Sequence, residues 1–315
     1  MDSVQDQQIA ASQLTTLEPD HWWQIQQDHR ARALELTSVW RSARDAGTKH
    51  EIEDFLFSYY PVRPGRLTTW NPGVGFALRN DQAQPELSAD WTRRTELRWH
   101  RETKDGAVTL DTAAFLADRG TAVKYMLHLL RSTAQKPANV GCFGLHEWAM
   151  VYRQGEDTRH VLPLRLGAKG TDEVVQDNQI RCSHIDAFRF FTPEAEPLNK
   201  LQPTRETQAE FEQPGCLHAN MDLYKWAWKL TPAIPGDLLL DCFELSKEIR
   251  YLDMQASPYD VSKFGLPAVA IETSEGKAQY SARQKDFAVR SAPLRARLIN
   301  LCERILDSGP QQDTL

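Results

Sequence analysis

Residues 237–254, DLLLDCFELSKEIRYLDM, carry the clearest secondary-structure signal in this 315-residue chain. Apolar side chains recur in it with gaps of four, three, four and three residues, at Leu238, Cys242, Leu245, Ile249 and Leu252. This spacing places the five side chains on one face of an α-helix. The stretch therefore predicts a long helix that packs against a core.

Similar patterns extend on both sides of this helix. Apolar residues at helical spacing predict further helices over residues 19–45, 111–132, 214–230 and 278–306. Strand-like sequence covers residues 160–166 and much of 180–191, and residues 66–78 are turn-rich and partly extended. The sequence therefore predicts an α+β fold that is predominantly helical, a single compact domain with a small strand component.

The domain boundaries follow from composition. The first 18 residues are rich in Gln, Ser and Thr, and we expect them to be loosely ordered, as we expect residues 308–315 to form a flexible tail. Residues 19–307 then form one globular domain. A polar, proline-containing link near residues 134–140 either separates two lobes or joins a helix to a core segment, and we expect the second.

Composition excludes several classes of protein. Hydrophobic residues make up 41% of the chain and charged residues 25%, as in ordinary globular proteins. The 37 basic and 43 acidic residues leave a net charge of −6, which does not favour a nucleic-acid backbone as the main partner. No apolar run approaches the ~20 residues of a membrane span, and the first residues do not resemble a signal peptide. We expect a cytoplasmic protein with no membrane partner, whose five cysteines are free thiols.

Three short segments combine a cysteine, a histidine and a carboxylate with apolar neighbours. They are residues 141–148 (GCFGLHEW), 181–189 (RCSHIDAFR) and 215–225 (GCLHANMDLYK). In each, the cysteine precedes the histidine by two or four residues. Because polar groups that become buried must find partners, these segments are expected to meet in one pocket.

Two interpretations of that pocket stay open. In the first, it is a zinc or iron site whose ligands are His146, His184 and His218. A neighbouring carboxylate would complete the site or act as a base on bound water; the candidates are Glu147, Asp186 and Asp222. In the second, the histidines are buried, hydrogen-bonded core residues beside structural cysteines.

The third segment is the most informative if it is helical. His218, Asp222 and Lys225 then share one stripe, and Tyr224 lies on the adjoining apolar stripe. Such a ridge can bind a ligand or catalyse a reaction, or it can be an ion-pair ladder worth only a few tenths of a kcal/mol per pair.

Across most of its length the sequence resembles a bacterial family catalogued as 3-methyladenine DNA glycosylase. The segments that carry the resemblance are residues 53–60, 145–153, 181–193 and 213–230. The resemblance implies a DNA-repair hydrolase that releases a modified nucleobase by cleaving its N-glycosidic bond. A flipped base would stack on aromatic side chains, and a carboxylate would stabilise the oxocarbenium-like sugar or activate water.

Three functions are therefore carried forward. The first is the nucleobase-releasing hydrolase, whose substrate contains a nucleobase, as DNA does. Its catalytic carboxylate would be Glu147, Asp186 or Asp222. Its candidate substrate-binding residues are Trp70, Trp148, Arg189, Tyr224 and Lys225. The alternative is a metal-dependent oxidase or hydrolase that acts on a small molecule through the histidine–carboxylate cluster. The third is a ligand-binding or partner-docking protein without enzymatic activity.

Overall fold

The computed structural model describes residues 14–60, 62–154 and 162–309. Helices dominate it, as the sequence predicted. They are α1 (Pro19–Leu36), α2 (Ser38–Asp45), α3 (Phe55–Ser58), α4 (Pro64–Leu67), α5 (Pro85–Thr95), α6 (Thr112–Ala134), α7 (Leu145–Ala149), α8 (Gly167–Asp177), α9 (Ile185–Phe188), α10 (Gln208–Phe211), α11 (Leu217–Lys229), α12 (Gly236–Ala256) and α13 (Ser274–Asp307). Short 3₁₀ turns cover Glu196–Leu198 and Ser262–Phe264. None of the helices in these described ranges is both long and apolar enough to cross a bilayer.

The strand component is one small sheet of four three-residue strands. They are β1 (Thr15–Leu17), β2 (Phe76–Leu78), β3 (His100–Glu102) and β4 (Val108–Leu110), in the order β1-β2-β4-β3. Strand β1 runs parallel to β2, with Thr16 opposite Ala77, and the other two pairs are antiparallel. Residues 15–17, which the sequence assigned to a loose segment, are thus paired in the sheet. The remainder of that segment up to residue 13, and the tail from residue 310, lie outside the described residues.

The strands expected over 160–166 and 180–191 are not present in the described part of those segments. Leu164 and Ile180 each form only an isolated bridge, and residues 160 and 161 lie outside the described ranges. Beside Ile180, the side chain of Asn199 replaces a strand neighbour. Its amide oxygen accepts from the backbone N–H of Cys182 at 2.8 Å, and its amide nitrogen donates to the Cys182 carbonyl at 2.9 Å. Because a side chain satisfies this backbone, no ladder extends from it.

The core lies where α6, α11, α12 and α13 pack together. The predicted stripe of α12 is buried throughout: Leu238, Cys242, Leu245, Ile249 and Leu252 are each at most 3% exposed. One continuous apolar cluster contains both Leu130 and Leu145, on the two sides of the link near 134–140. The link therefore runs along a single core and joins α6 to α7.

Helix α11 is buried on nearly every side and still carries several polar side chains. It packs against α12 and α13, and ten of its thirteen residues are buried. Its polar side chains His218, Asn220 and Asp222 are at most 5% exposed. Polar groups enclosed in this way must be satisfied inside the protein, by other side chains or by a ligand.

Candidate metal centre

The three segments that the sequence singled out meet in space. The imidazole of His146, on α7, lies edge-on to that of His218, in the first turn of α11, with ring centroids 4.5 Å apart. The ring of His184, immediately before α9, lies 5.3 Å from that of His218. The convergence expected of the three histidines is therefore present, although 34 and 38 residues separate them along the chain.

A tight turn before α7 directs His146 inward. Gly144 has a φ of +72°, a left-handed conformation that favours glycine. A Cβ atom at this position would lie 3.3 Å from the ring of Tyr280. The turn thus brings the backbone close to α13, so that the short helix behind it places both His146 and Trp148 in the interior.

His146, His218 and Asp253 form the first cluster, with three ligand atoms all within 4.8 Å of one another. The Nε2 atom of His146 lies 3.0 Å from Oδ1 of Asp253, and these side chains are 2% and 0% exposed. The two atoms are not aligned as a hydrogen bond, and neither has another hydrogen-bond partner among the described residues. Buried polar atoms without partners are uncommon in folded proteins, and an unplaced ion is one of their recognised causes.

Electrostatics leave this cluster with one neutral imidazole (His218), one ionised carboxylate (Asp253) and one protonated imidazole (His146), whose proton a metal ion would have to displace. Burial and the neighbouring His146 lower the pKa of His218 to about 3, so its ring is neutral at physiological pH. Burial alone would raise the pKa of Asp253, but His146 holds it well below its usual range. Burial would likewise lower the pKa of His146, yet the Asp253 carboxylate raises it well above the usual value. A neutral imidazole and a carboxylate are the forms in which these side chains bind metals.

Arg250 holds the far side of the Asp253 carboxylate. Its Nη1 atom lies 3.2 Å from Oδ2 of Asp253 and 2.9 Å from Oε1 of Glu147. Glu147, one of the predicted catalytic carboxylates, is therefore paired with an arginine behind the cluster and does not line the cavity next to it. Adjacent residues on a helix point about 100° apart, which is why His146 faces the cluster and Glu147 does not.

His184, Glu212 and Asp222 form the second cluster. Both ring nitrogens of His184 are buried without a hydrogen-bond partner among the described residues, but the carboxylate oxygens, unlike Oδ1 of Asp253, already accept from other donors. Nε2 of His184 lies 3.3 Å from a carboxylate oxygen of each acid. The same oxygen of Glu212 accepts from the amide of Gln208, and the same oxygen of Asp222 accepts from the ammonium of Lys225. Since Lys225 already supplies a positive charge there, a second cation at this position would be repelled.

A cavity of about 250 Å³ opens over His146 and His218, and we call it the histidine cavity. Two buried polar atoms of its lining residues have no partner among the described residues: the hydroxyl of Tyr280 and the amide oxygen of Gln284. The amide nitrogen of Gln284 donates to the Gly215 carbonyl at 2.6 Å, which orients the free oxygen. A ligand in the cavity can satisfy both atoms.

The cysteines of the three segments also line the histidine cavity. Cys142, Cys182 and Cys216 are free thiols, as predicted, and burial raises the pKa values of Cys182 and Cys216. The sulfur of Cys142 lies 3.6 Å from Nδ1 of His146, on the opposite side of the ring from Asp253. The three thiols make a largely apolar wall around the imidazoles.

The aromatic residues expected to bind substrate lie elsewhere. Trp148 and Tyr224 are both 0% exposed, so neither ring is accessible to stack on a base in this conformation. Trp70 stacks on Trp22 at 6.5 Å, next to the buried guanidinium of Arg94. None of the three predicted aromatic residues lines the histidine cavity.

Asp186, Arg189 and Lys225 also lie away from the histidine cavity, in a second cavity at the other end of α11. Asp186 is two residues beyond His184 and lies at the start of α9, where it accepts from Arg205 at 2.6 Å and from Lys225 at 3.1 Å. Lys225 bridges Asp186 and Asp222, so the predicted carboxylates Asp186 and Asp222 belong to one ion-pair network.

The carboxylate that does adjoin the histidines, Asp253, was not singled out as a site residue, although its sequence carries a signal. Ser246, Arg250 and Asp253 follow the apolar stripe of α12 one position later, at i, i+4 and i+7, and all three are at most 1% exposed. A polar row beside an apolar row indicates a buried polar network. Glu212 has no comparable signal, because it lies in the irregular segment before α11.

Comparison of the chain with protein-family models, with curated proteins and with solved structures finds no match. The resemblance to the glycosylase family stays a prediction.

Proposed function

We propose that the protein is a metal-dependent enzyme that acts on a small molecule, with one metal ion held by His146, His218 and Asp253. A single observation carries the proposal. The Nε2 atom of His146 and the Oδ1 atom of Asp253 form a buried ion pair at 3.0 Å that is not aligned as a hydrogen bond and has no other partner among the described residues, and the neutral ring of His218 is beside them. An ion that takes the place of the proton between them would satisfy all three side chains.

The donor set narrows the choice of metal. Two imidazoles and one carboxylate bind catalytic zinc in one class of hydrolase and non-haem iron(II) in one class of oxygenase. Both sets leave coordination positions open, and here His146 and His218 also line the histidine cavity. Zinc or iron would supply Lewis acidity, or an oxidising centre in the case of iron, to a bound molecule.

The remaining residues position the ligands and the substrate. Arg250, which also donates to Glu147, donates to Oδ2 of Asp253 and leaves Oδ1 directed toward the imidazoles. The amide oxygen of Gln284 can only accept a hydrogen bond, so it selects a substrate with an N–H or O–H group, and the Tyr280 hydroxyl can donate to a second group. A cavity of about 250 Å³ restricts the substrate to a small molecule.

Nucleobase release is the second candidate function. One observation favours it: Asp186, Arg189 and Lys225 share a cavity with the rings of Tyr59 and Trp226. The Asp186 carboxylate is bound by two cations, which lower its pKa against the effect of burial, so it would stabilise a positive sugar and would not donate a proton. A glycosidase of this kind retains its activity after chelation of metals, whereas the metal-dependent enzyme does not.

Metal analysis of the purified full chain tests the main proposal. We expect about one equivalent of zinc or iron in the wild-type protein after loading with each metal. The variants His146→Ala, His218→Ala and Asp253→Asn should each lose it. The matched control is His128→Ala, because His128 is exposed on α6 and outside the cluster.

Circular dichroism of each variant separates loss of ligand from loss of fold. Wild-type protein that binds neither metal, or folded variants that keep the full equivalent, would contradict the proposal.

A further inference from the structure

A second cavity, of about 480 Å³, lies at the C-terminal end of α11, away from the proposed metal ligands. Four positively charged side chains line it, Arg189, Arg205, Lys225 and Lys229, and we call it the cationic cavity. Its aromatic residues are Tyr59, Tyr125 and Trp226. The four cations come from α11 and from the segments that follow α9 and precede α10, so only the fold brings them together.

The positive charge of the cationic cavity is only partly balanced by the protein. Asp186 is the only carboxylate among the described residues that line it, and Asp222 binds Lys225 from behind, which leaves an excess of two positive charges in a chain whose net charge is −6. Both oxygens of Asp186 are already used, one by Arg205 at 2.6 Å and one by Lys225 at 3.1 Å. Arg189 approaches Asp186 only to 3.5 Å.

Lys229 is the least satisfied of the four cations. Its ammonium makes no hydrogen bond or ion pair with the residues that the structure describes. It lies 5.1 Å from the centre of the Trp226 ring, and the ammonium of Lys225 lies 4.3 Å from the same ring. Burial and the positive charge of Lys225 lower the pKa of Lys229. Like charges crowded against one ring are unfavourable unless an anion lies between them.

We propose that the cationic cavity binds a small organic phosphate, with the phosphoryl group held by Lys229, Arg189 and Arg205. Guanidinium groups match the geometry of phosphate oxygens, and three converging cations favour a dianion over a single carboxylate. The cavity is much larger than a bare phosphate ion requires, and the 41%-exposed ring of Tyr125 offers an apolar surface to the organic part. The proposal does not depend on the metal centre, whose cavity is separate.

Calorimetric titration of the full chain at low salt tests this site with three probes: phenyl phosphate, inorganic phosphate and benzoate. We expect phenyl phosphate to bind most tightly, and its affinity to fall as salt is added. Lys229→Gln and Arg189→Gln should each weaken phenyl phosphate by about tenfold, because each removes a charge-assisted hydrogen bond. Lys169→Gln is the matched control, since its side chain is 92% exposed on α8 and it should leave the affinity unchanged.

Each other outcome overturns the proposal. Equal affinity for benzoate would mean a general anion site, and equal weakening in the Lys169→Gln variant would mean non-specific attraction. A single-stranded oligonucleotide that binds in a Lys229-dependent manner, while phenyl phosphate does not bind, would identify a nucleic-acid surface instead. Phenyl phosphate should bind equally to metal-loaded and chelated protein, so failure of the phosphate site and failure of the metal site are distinguishable.

Discussion

The two ends of helix α11 carry opposite chemistry. In its first turn, His218 is neutral and faces the imidazole of His146, whereas in its last two turns Lys225 and Lys229 are cations. The partial charges of the helix act in the same direction, since the N-terminal end disfavours a protonated imidazole and the C-terminal end favours an ammonium. One buried helix can therefore contribute residues to a metal site at one end and to an anion site at the other.

Asp222 lies between these ends and contacts residues near both of them. Its Oδ2 atom lies 3.3 Å from Nε2 of His184 and also binds the ammonium of Lys225, and its Oδ1 atom accepts from the Tyr60 hydroxyl at 3.0 Å. Substitutions at the middle of the helix, at the histidine end and at the cationic end should therefore change stability by different amounts.

The largest loss of stability is expected when the ion pair between Asp222 and Lys225 is broken. Asp222→Asn leaves the largely buried Lys225 without its closest counter-charge, and removal of one partner of a buried ion pair costs about 3–5 kcal/mol of unfolding free energy. Urea unfolding followed by circular dichroism measures the loss. Asp241→Asn is the control, because Asp241 forms exposed pairs with Arg32 and Arg297 and should lose less than about 1 kcal/mol. If Asp222→Asn unfolds at the same urea concentration as the wild type, the buried pair with Lys225 does not stabilise the fold.

A smaller change in stability is expected from metal binding at the histidine end of α11. Zinc at a free concentration of 100 times its dissociation constant should stabilise the wild-type protein by about 2.7 kcal/mol, and excess chelator should reverse the effect. His218→Ala should lose this stabilisation, whereas His184→Ala should keep it, because donors already occupy the carboxylates next to His184. Thermal unfolding with and without zinc gives the comparison. Loss in both variants would show that the three histidines act as one site, as the shared-pocket hypothesis from the sequence predicted.

A further test is the pH dependence of the stability that Asp186 contributes at the cationic end. Burial alone would raise the pKa of Asp186, but Lys225 and Arg205 lower it below the usual value. A carboxyl group with a depressed pKa stabilises the fold above its unfolded pKa of about 3.9, and this contribution disappears as the pH falls through the folded value. Asp186→Asn should therefore be less stable than the wild type by about 1–3 kcal/mol at pH 7.

The difference between the two proteins should shrink as the pH falls below about 4, because the unfolded carboxyl is protonated first and the folded carboxyl only at a lower pH. Urea unfolding of both proteins at several pH values measures it. A difference that stays constant down to pH 2 would mean that the Asp186 carboxylate has no depressed pKa.

The regular parts of the fold could be predicted because their signal is local. The helices expected over 214–230 and 237–254 appear as α11 (Leu217–Lys229) and α12 (Gly236–Ala256), since apolar side chains at a period of 3.6 must share a buried face. Strands of three residues are too short to show alternation, so β1, β3 and β4 were not predicted, and β2 (Phe76–Leu78) only coincides with the end of a segment expected to be partly extended. The convergence of the histidines was also predictable, because each lies among apolar residues that had to become buried.

The acid partners of the histidines could not be predicted in the same way. Glu147 and Asp253 are both buried carboxylates near His146, one adjacent in sequence and the other 107 residues away. The adjacent one points toward Arg250, and the distant one lies 3.0 Å from the imidazole. Sequence distance gave the wrong partner because a helix turns consecutive side chains away from each other.

The amino-acid sequence alone determined which segments are helical, which faces they bury and which polar residues those faces carry inward, since these properties depend on neighbours three or four positions away. Only the tertiary structure decided which carboxylate meets which imidazole, which buried atoms lack a partner, and that four cations share a cavity at the end of α11. The physical reason is that electrostatic and metal-ligand interactions act between atoms a few ångströms apart in space, and the packing of distant helices sets those distances.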